Sequence, residues 1–181
     1  MICYCCDSTI RILRVLILFV GILFHTTPIF ADDSSSEREN KIKIAYLYHF
    51  AQFTEWTTKP STFNYCVYED TSFSELLKNA YAGKNFGDTI ISVHPVYAQS
   101  DFDNCQLIFF PHSVSAELLT KLNKKPILSV GTQRNFAQVG GIISLFEDNQ
   151  KIYFFINNIT ALNSGLKINS QLLSLSKEPP L

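Results

Sequence analysis

The side chains able to do chemistry in this chain are few. Beyond an apolar N-terminal segment there remain two cysteines, Cys66 and Cys105, and three histidines, His49, His94 and His112. The histidines lack a metal-binding spacing such as H-x-x-x-H, and neither cysteine has another cysteine at short spacing or a histidine nearby in sequence. Metal ligation and thiol nucleophilicity are therefore not indicated. His112 with Ser113 and Ser115 follows a strand end, where α/β sheets often carry function. An envelope hydrolase built there would need a nucleophile elbow G-x-S-x-G and an acidic residue to orient the histidine, and neither is evident. The simpler reading is a loop in which Ser113 or Ser115 caps the next helix. Gly131 and Gly140-Gly141 bracket residues 132–139 without a G-x-G-x-x-G or Walker pattern, so they read as turn glycines. Glu69 and Asp70 end a strand and are expected to start a turn and cap a helix, with ligand sensing near Asp70 or His112 as the lesser alternative. No catalytic residue, cofactor site or metal site is expected.

The bulk properties agree. The chain has 181 residues, with 15 Lys and Arg against 16 Asp and Glu, and no basic patch to serve nucleic acid. Arg11 and Arg14 precede an apolar run over 15–24, then a polar break and Pro28-Ile29-Phe30-Ala31. The run is shorter than the roughly 20 residues a membrane span needs, so residues 1–31 read as a cleaved secretory signal peptide. Cys3, Cys5 and Cys6 would leave with it. The exported protein would retain Cys66 and Cys105, either as a disulfide, which an oxidising compartment favours, or as two buried thiols. Both lie in strand-like runs, and neighbouring strands hold Cα atoms at distances a disulfide can bridge. The sequon Asn158-Ile159-Thr160 carries meaning only in a host that glycosylates exported proteins.

Residues 32–40, DDSSSEREN, contain nothing to pack and read as a flexible lead-in, with the domain over 41–177 and a tail over 178–181. After a helix over 41–56 and the breaker Thr57-Thr58-Lys59-Pro60, strands are expected over 63–68, 90–96, 105–110 and 127–130. Helices over 73–81 and 115–123 alternate with them. Such alternation argues for a layered α/β fold, its mostly parallel sheet flanked by helices. Gly140-Gly141 then introduces an antiparallel hairpin, 142–146 and 152–156, joined by a four- or five-residue loop. A terminal helical region over 160–175 is expected to break at Gly165.

The first helix, KIKIAYLYHFAQFTEW, has an unusual surface. On a wheel of about 100° per residue, Lys43, His49, Gln52, Thr54 and Glu55 scatter around the axis, leaving no clean solvent face. Ile42, Ala45, Tyr46, Phe53 and Trp56 make one apolar stripe, and Ile44, Leu47, Tyr48 and Ala51 another. Either the helix is sunk in the core, or one side packs on its own domain and the other on a partner. The second reading assigns Tyr46, Tyr48, Phe53 and Trp56 to a partner interface. A two-faced helix of this kind also suits a homodimer.

That same run, from Ile42 to Trp56, resembles the opening signature of the YfiR-like family of periplasmic proteins. Further landmarks follow in the family's order: Phe63-Asn64-Tyr65-Cys66-Val67 with Asp70 and Phe73, then Cys105-Gln106-Leu107-Ile108-Phe109. Pro126-Ile127-Leu128-Ser129-Val130-Gly131, Phe136, Gly140-Gly141-Ile142-Ile143, Asn157 and Gly165-Leu166-Lys167-Ile168-Asn169-Ser170-Gln171-Leu172-Leu173 complete the resemblance. It implies a periplasmic negative regulator that performs no chemistry. Its partner would be the periplasmic sensor part of a membrane diguanylate cyclase, whose cyclic di-GMP synthesis it restrains, or of a sensor kinase. The resemblance also implies capture by an outer-membrane lipoprotein and a structural Cys66–Cys105 disulfide. The second disulfide of the best-studied member has no counterpart, because no cysteine follows Cys105. A ligand-sensing module working with a sensor kinase is the alternative function.

Overall fold

The computed structural model describes residues 33–177. The chain divides into two units, residues 1–36 and 37–181, and the strands and buried core described belong to the second. The expected signal peptide and the tail over 178–181 lie outside the described residues. In chain order the elements are α1 (Asp33–Gln52), β1 (Thr54–Trp56), β2 (Thr62–Tyr68), α2 (Thr71–Tyr81), β3 (Asn85–Phe86) and β4 (Thr89–Val96). A 3-10 helix (Gln99–Asn104) leads to β5 (Leu107–Phe110), α3 (Ala116–Leu122), β6 (Leu128–Gly131), β7 (Ile143–Asp148) and β8 (Lys151–Ile156). Then come α4 (Asn158–Asn163), β9 (Leu166–Ile168) and α5 (Ser170–Ser174).

Seven strands form one sheet in the order β3-β4-β2-β5-β6-β7-β8. The five strands from β4 to β7 are mutually parallel, and the antiparallel partners β3 and β8 lie at the two ends. This is the expected α/β layered fold with its C-terminal hairpin. Alternate residues of the central strands face opposite sides, which is why the runs are continuously apolar. Phe63, Tyr65, Val67, Leu107 and Phe109 point into a core with α1, α2 and the C-terminal elements. Cys66, Ile108 and Phe110 point into a second core with Leu118, Leu119 and Leu122 of α3. Each such large side chain contributes about 1.5–3 kcal/mol by leaving water.

Polar residues at the strand ends set the helix starts. The Asp70 carboxylate accepts from Phe73 N at 2.8 Å to cap α2, and Ser115 Oγ accepts from Leu118 N at 3.3 Å to cap α3. Both follow the expected capping. Cys66 of β2 and Cys105, just before β5, are joined in a disulfide with their Cα atoms 5.9 Å apart.

Several boundaries differ from expectation. The first helix starts at Asp33, inside the polar segment read as a lead-in, and stops at Gln52 instead of reaching Trp56. Thr54, Glu55 and Trp56 are strand β1, paired antiparallel with Ile168, Lys167 and Leu166 of β9. The pairing overrides helical continuation, as suits a segment of β-branched and aromatic residues. Its other half interrupts the expected terminal helix: Gly165 takes φ 78°, the left-handed conformation that ends helices, and α4 gives way to β9. The hairpin turn is also tighter than expected. Asp148 pairs with Lys151, leaving the two residues Asn149 and Gln150 at φ 48° and 60°, as a primed turn requires.

α1 is held to the sheet by Leu47, Phe50 and Ala51, all buried, and by two phenols. Tyr81 Oη donates to Ile44 O at 2.7 Å and Tyr65 Oη to Leu47 O at 3.5 Å, each using the spare lone pair of a helical carbonyl. Burial pushes both phenols far above the usual tyrosine pKa, so they remain neutral donors. Tyr81→Phe is expected to lower the unfolding free energy by about 1 kcal/mol. Tyr65→Phe should cost less, because its bond is longer. Urea denaturation of the two variants checks both values; equal costs would remove the hydrogen bond as the cause.

Candidate functional site

The surface of α1 is built by where the helix ends. With Thr54 and Glu55 removed to β1, the remaining exposed residues of its C-terminal part, Lys41, Ala45, His49 and Gln52, fall at i, i+4, i+8 and i+11 on one face. A solvent stripe therefore exists, contrary to the wheel drawn over 41–56, which counted two strand residues as helical. The earlier start adds Arg38, which a helix begun at Lys41 omits. Arg38, Lys41, Ile42, Ala45, Tyr46 and His49 line a shallow hollow of about 330 Å³. Its floor is apolar and its margin basic. Lys41 is paired with Glu37, and Arg38 has no ion-pair partner among the described residues.

The four aromatic residues assigned to a partner are all half-buried and packed against the first core. Tyr46 stacks on Phe50 with ring centres 5.7 Å apart and meets Phe154 at 5.5 Å. Tyr48 contacts Tyr81 and Phe86 at 5.6 and 5.0 Å, and Lys84 lies over its ring. Phe53 adjoins His49 at 6.4 Å. Trp56 meets Phe63 edge to face at 5.0 Å, and its indole N–H donates to Pro126 O at 2.8 Å. Tyr46 alone of the four lines the α1 hollow. The structure does not gather them on one outward face, because Trp56 stands on β1 and the others on or just after the helix.

The remaining candidates stand apart. His94 is exposed on β4 with its Nε2 2.8 Å from Ser92 Oγ. His112 is exposed after β5 and has no hydrogen-bond partner among the described residues, so nothing orients its imidazole. Glu69 and Asp70 close β2, which lies between β4 and β5, the point where strand order reverses and open α/β sheets bind ligands. There the Asp70 carboxylate is engaged by Phe73 N. A hollow of about 490 Å³ opens at the other end of β2, beside Trp56 and Phe63. No group of three or more His, Cys, Asp or Glu able to hold a metal occurs among the described residues. No helix among them is long and apolar enough to cross a membrane.

Gly131 and Gly141, read from sequence as turn glycines, hold a ring instead. A Cβ on Gly131 would stand 2.2 Å from Cδ2 of Phe136, and one on Gly141 would stand 2.1 Å from Cε1. Gly140, at φ 119°, is the one of the three that needs glycine's conformational freedom. This clamp closes the loop between β6 and β7 and is structural.

Comparison with known proteins places these features in a family. No curated protein matches the chain. The model of the YfiR/HmsC-like family matches residues 40–177, a span running from the middle of α1 to just beyond α5 and containing both cysteines, the Phe136 clamp and the β1–β9 pair. The resemblance carried by the opening helix thus holds over the whole domain, and the chain belongs to the YfiR/HmsC-like family.

Proposed function

We propose that this protein is a periplasmic negative regulator that binds the periplasmic sensor part of a membrane diguanylate cyclase and thereby restrains cyclic di-GMP synthesis. The observation that carries the reading is the family match over residues 40–177, because the resemblance to that family implies regulation by contact. The same membership and the leader pattern over 1–31 support an exported location. A sensor kinase is the alternative partner, and an outer-membrane lipoprotein a second one.

Contact is assigned to the α1 hollow, where Tyr46 supplies an aromatic edge from its half-buried position, with Tyr48 of α1, Phe53 just after it and Trp56 on β1 as the further aromatic candidates around it. The face open to a partner is centred on Ala45, beside Tyr46 and Ile42, where a small residue allows close approach of another helix. Substituting the packed aromatics would perturb the core as well as the interface. Ala45 is exposed, so Ala45→Glu tests contact without that complication. The variant is expected to keep the wild-type circular dichroism and melting temperature while losing recovery of a membrane diguanylate cyclase from the native envelope by at least about tenfold. Recovery of no cyclase or kinase by the wild-type protein would sink the regulator reading. Equal recovery by both proteins would move the contact off this face.

A further inference from the structure

The hollow beside Trp56 has a lining that regulation by contact does not require. Its walls come from distant parts of the chain: Ala51 at the end of α1, Trp56 on β1, Pro60 in the following loop, Phe63 on β2 and Phe86 on β3. Trp56 lies edge to face with Phe63 at 5.0 Å, and Phe63 with Phe86 at 5.3 Å, so one side is a continuous aromatic wall. The wall is fixed in place, since Phe63 is buried and the Trp56 indole is held by Pro126 O. A volume of about 490 Å³ falls in the range of small-molecule sites, which combine apolar walls with a few polar groups.

Charge selects the class of ligand. Two ionisable side chains line the hollow, Glu55 and Lys59. Glu55 is neutralised by Lys167, whose Nζ lies 3.2 Å from its carboxylate. Lys59 has no ion-pair partner among the described residues. Of the lining hydroxyls, Thr54 Oγ1 donates to Phe50 O at 2.7 Å and Thr89 Oγ1 to Pro60 O at 3.4 Å. Beyond the exposed amide of Gln52, the lining therefore presents apolar surface and a single positive charge without an ion-pair partner. We propose that the hollow binds a small apolar monocarboxylate, its hydrocarbon or ring against the half-buried Trp56 and Phe86, which Phe63 backs from the core, and its carboxylate at Lys59 Nζ. With Glu55 paired to Lys167, one unpaired positive charge remains to be matched, and a cation would face Lys59, so a monoanion is the best complement.

The site carries its own reporter, because Trp56 is the chain's one tryptophan. The experiment is a titration of the purified exported protein with 3-phenylpropionate, read by tryptophan fluorescence, beside the neutral 3-phenylpropionamide and a Lys59→Gln variant checked by circular dichroism. Lys59 is exposed, so the variant should fold as wild type. The acid is expected to give a saturable change in emission. Losing the charge pair, on either the ligand or the protein, should weaken binding by about fivefold, the upper range for an exposed ion pair. Absence of a saturable change up to the solubility of the acid would overturn the proposal. So would equal binding of acid and amide, or a Lys59→Gln variant that binds the acid as wild type does. The readout needs no partner protein, so its outcome is separate from that of the cyclase pull-down.

Discussion

Alanine at Gly131 or Gly141 is expected to lower the unfolding free energy by about 3 kcal/mol, the upper end for overpacking a core. The Phe136 ring is fully buried and lies between the two glycines, with Phe110 at 5.6 Å beyond it. A Cβ at little more than 2 Å from ring carbons on either side cannot be absorbed by a flexible end, because the ring is rigid and its backbone is tied down. Gly141 N donates to Phe136 O at 2.8 Å and Phe136 N to Gln133 O at 2.9 Å. Phe136→Ala alone should cost about 3–5 kcal/mol as a cavity. In that background Gly141→Ala should cost almost nothing, since its methyl enters the space the ring has left. Urea unfolding of the two single variants and the double variant forms the cycle. Additive costs would mean that ring and glycine do not share a contact, and the clamp would be refuted.

The second large effect belongs to the disulfide. Replacing both Cys66 and Cys105 by alanine is expected to lower stability by about 4 kcal/mol in the chain-entropy model for a bridge that closes a loop of this length. The sequence separation is 39 residues, and both cysteines are buried in the second core beside Phe102 and Ile108. Alanine leaves no buried thiol to complicate the comparison. The urea slope should rise at the same time, because the unlinked denatured chain exposes more surface. Under non-reducing mass analysis the exported protein should show no free thiol. A double variant as stable as wild type would mean that the bridge contributes nothing to the balance between folded and unfolded states.

Local chemistry made much of this protein legible before its folding was considered. Asp70 and Ser115 cap α2 and α3 because a short polar side chain ahead of an apolar run can satisfy free helix donors wherever the chain goes next. The continuous apolar run at Leu107–Phe110 announced a strand covered on both faces, and the two cysteines sat where adjacent strands could join them. The surface of α1 was misread for a physical reason. Helix and strand share the composition Phe-Thr-Glu-Trp, and nothing nearby reveals that Glu55 will pair with Lys167, 112 positions away. Counting Thr54 and Glu55 as helical scattered polar residues that are aligned at Lys41, His49 and Gln52. The same long-range pairing turned the middle of the expected terminal helix into β9.

By itself, then, the sequence determined the fold class, the order and type of most elements and the capping residues, all of which rest on periodicity and short-range motifs, and, through its resemblance in ordered landmarks along the domain, the family. Only the tertiary structure decided where α1 stops, which of its faces meets water, that Gly131 and Gly141 clamp Phe136, and that Ala51, Trp56, Pro60, Phe63 and Phe86 line one open hollow. These depend on contacts between residues far apart in the chain, whose free energy exists only once the sheet has brought them together.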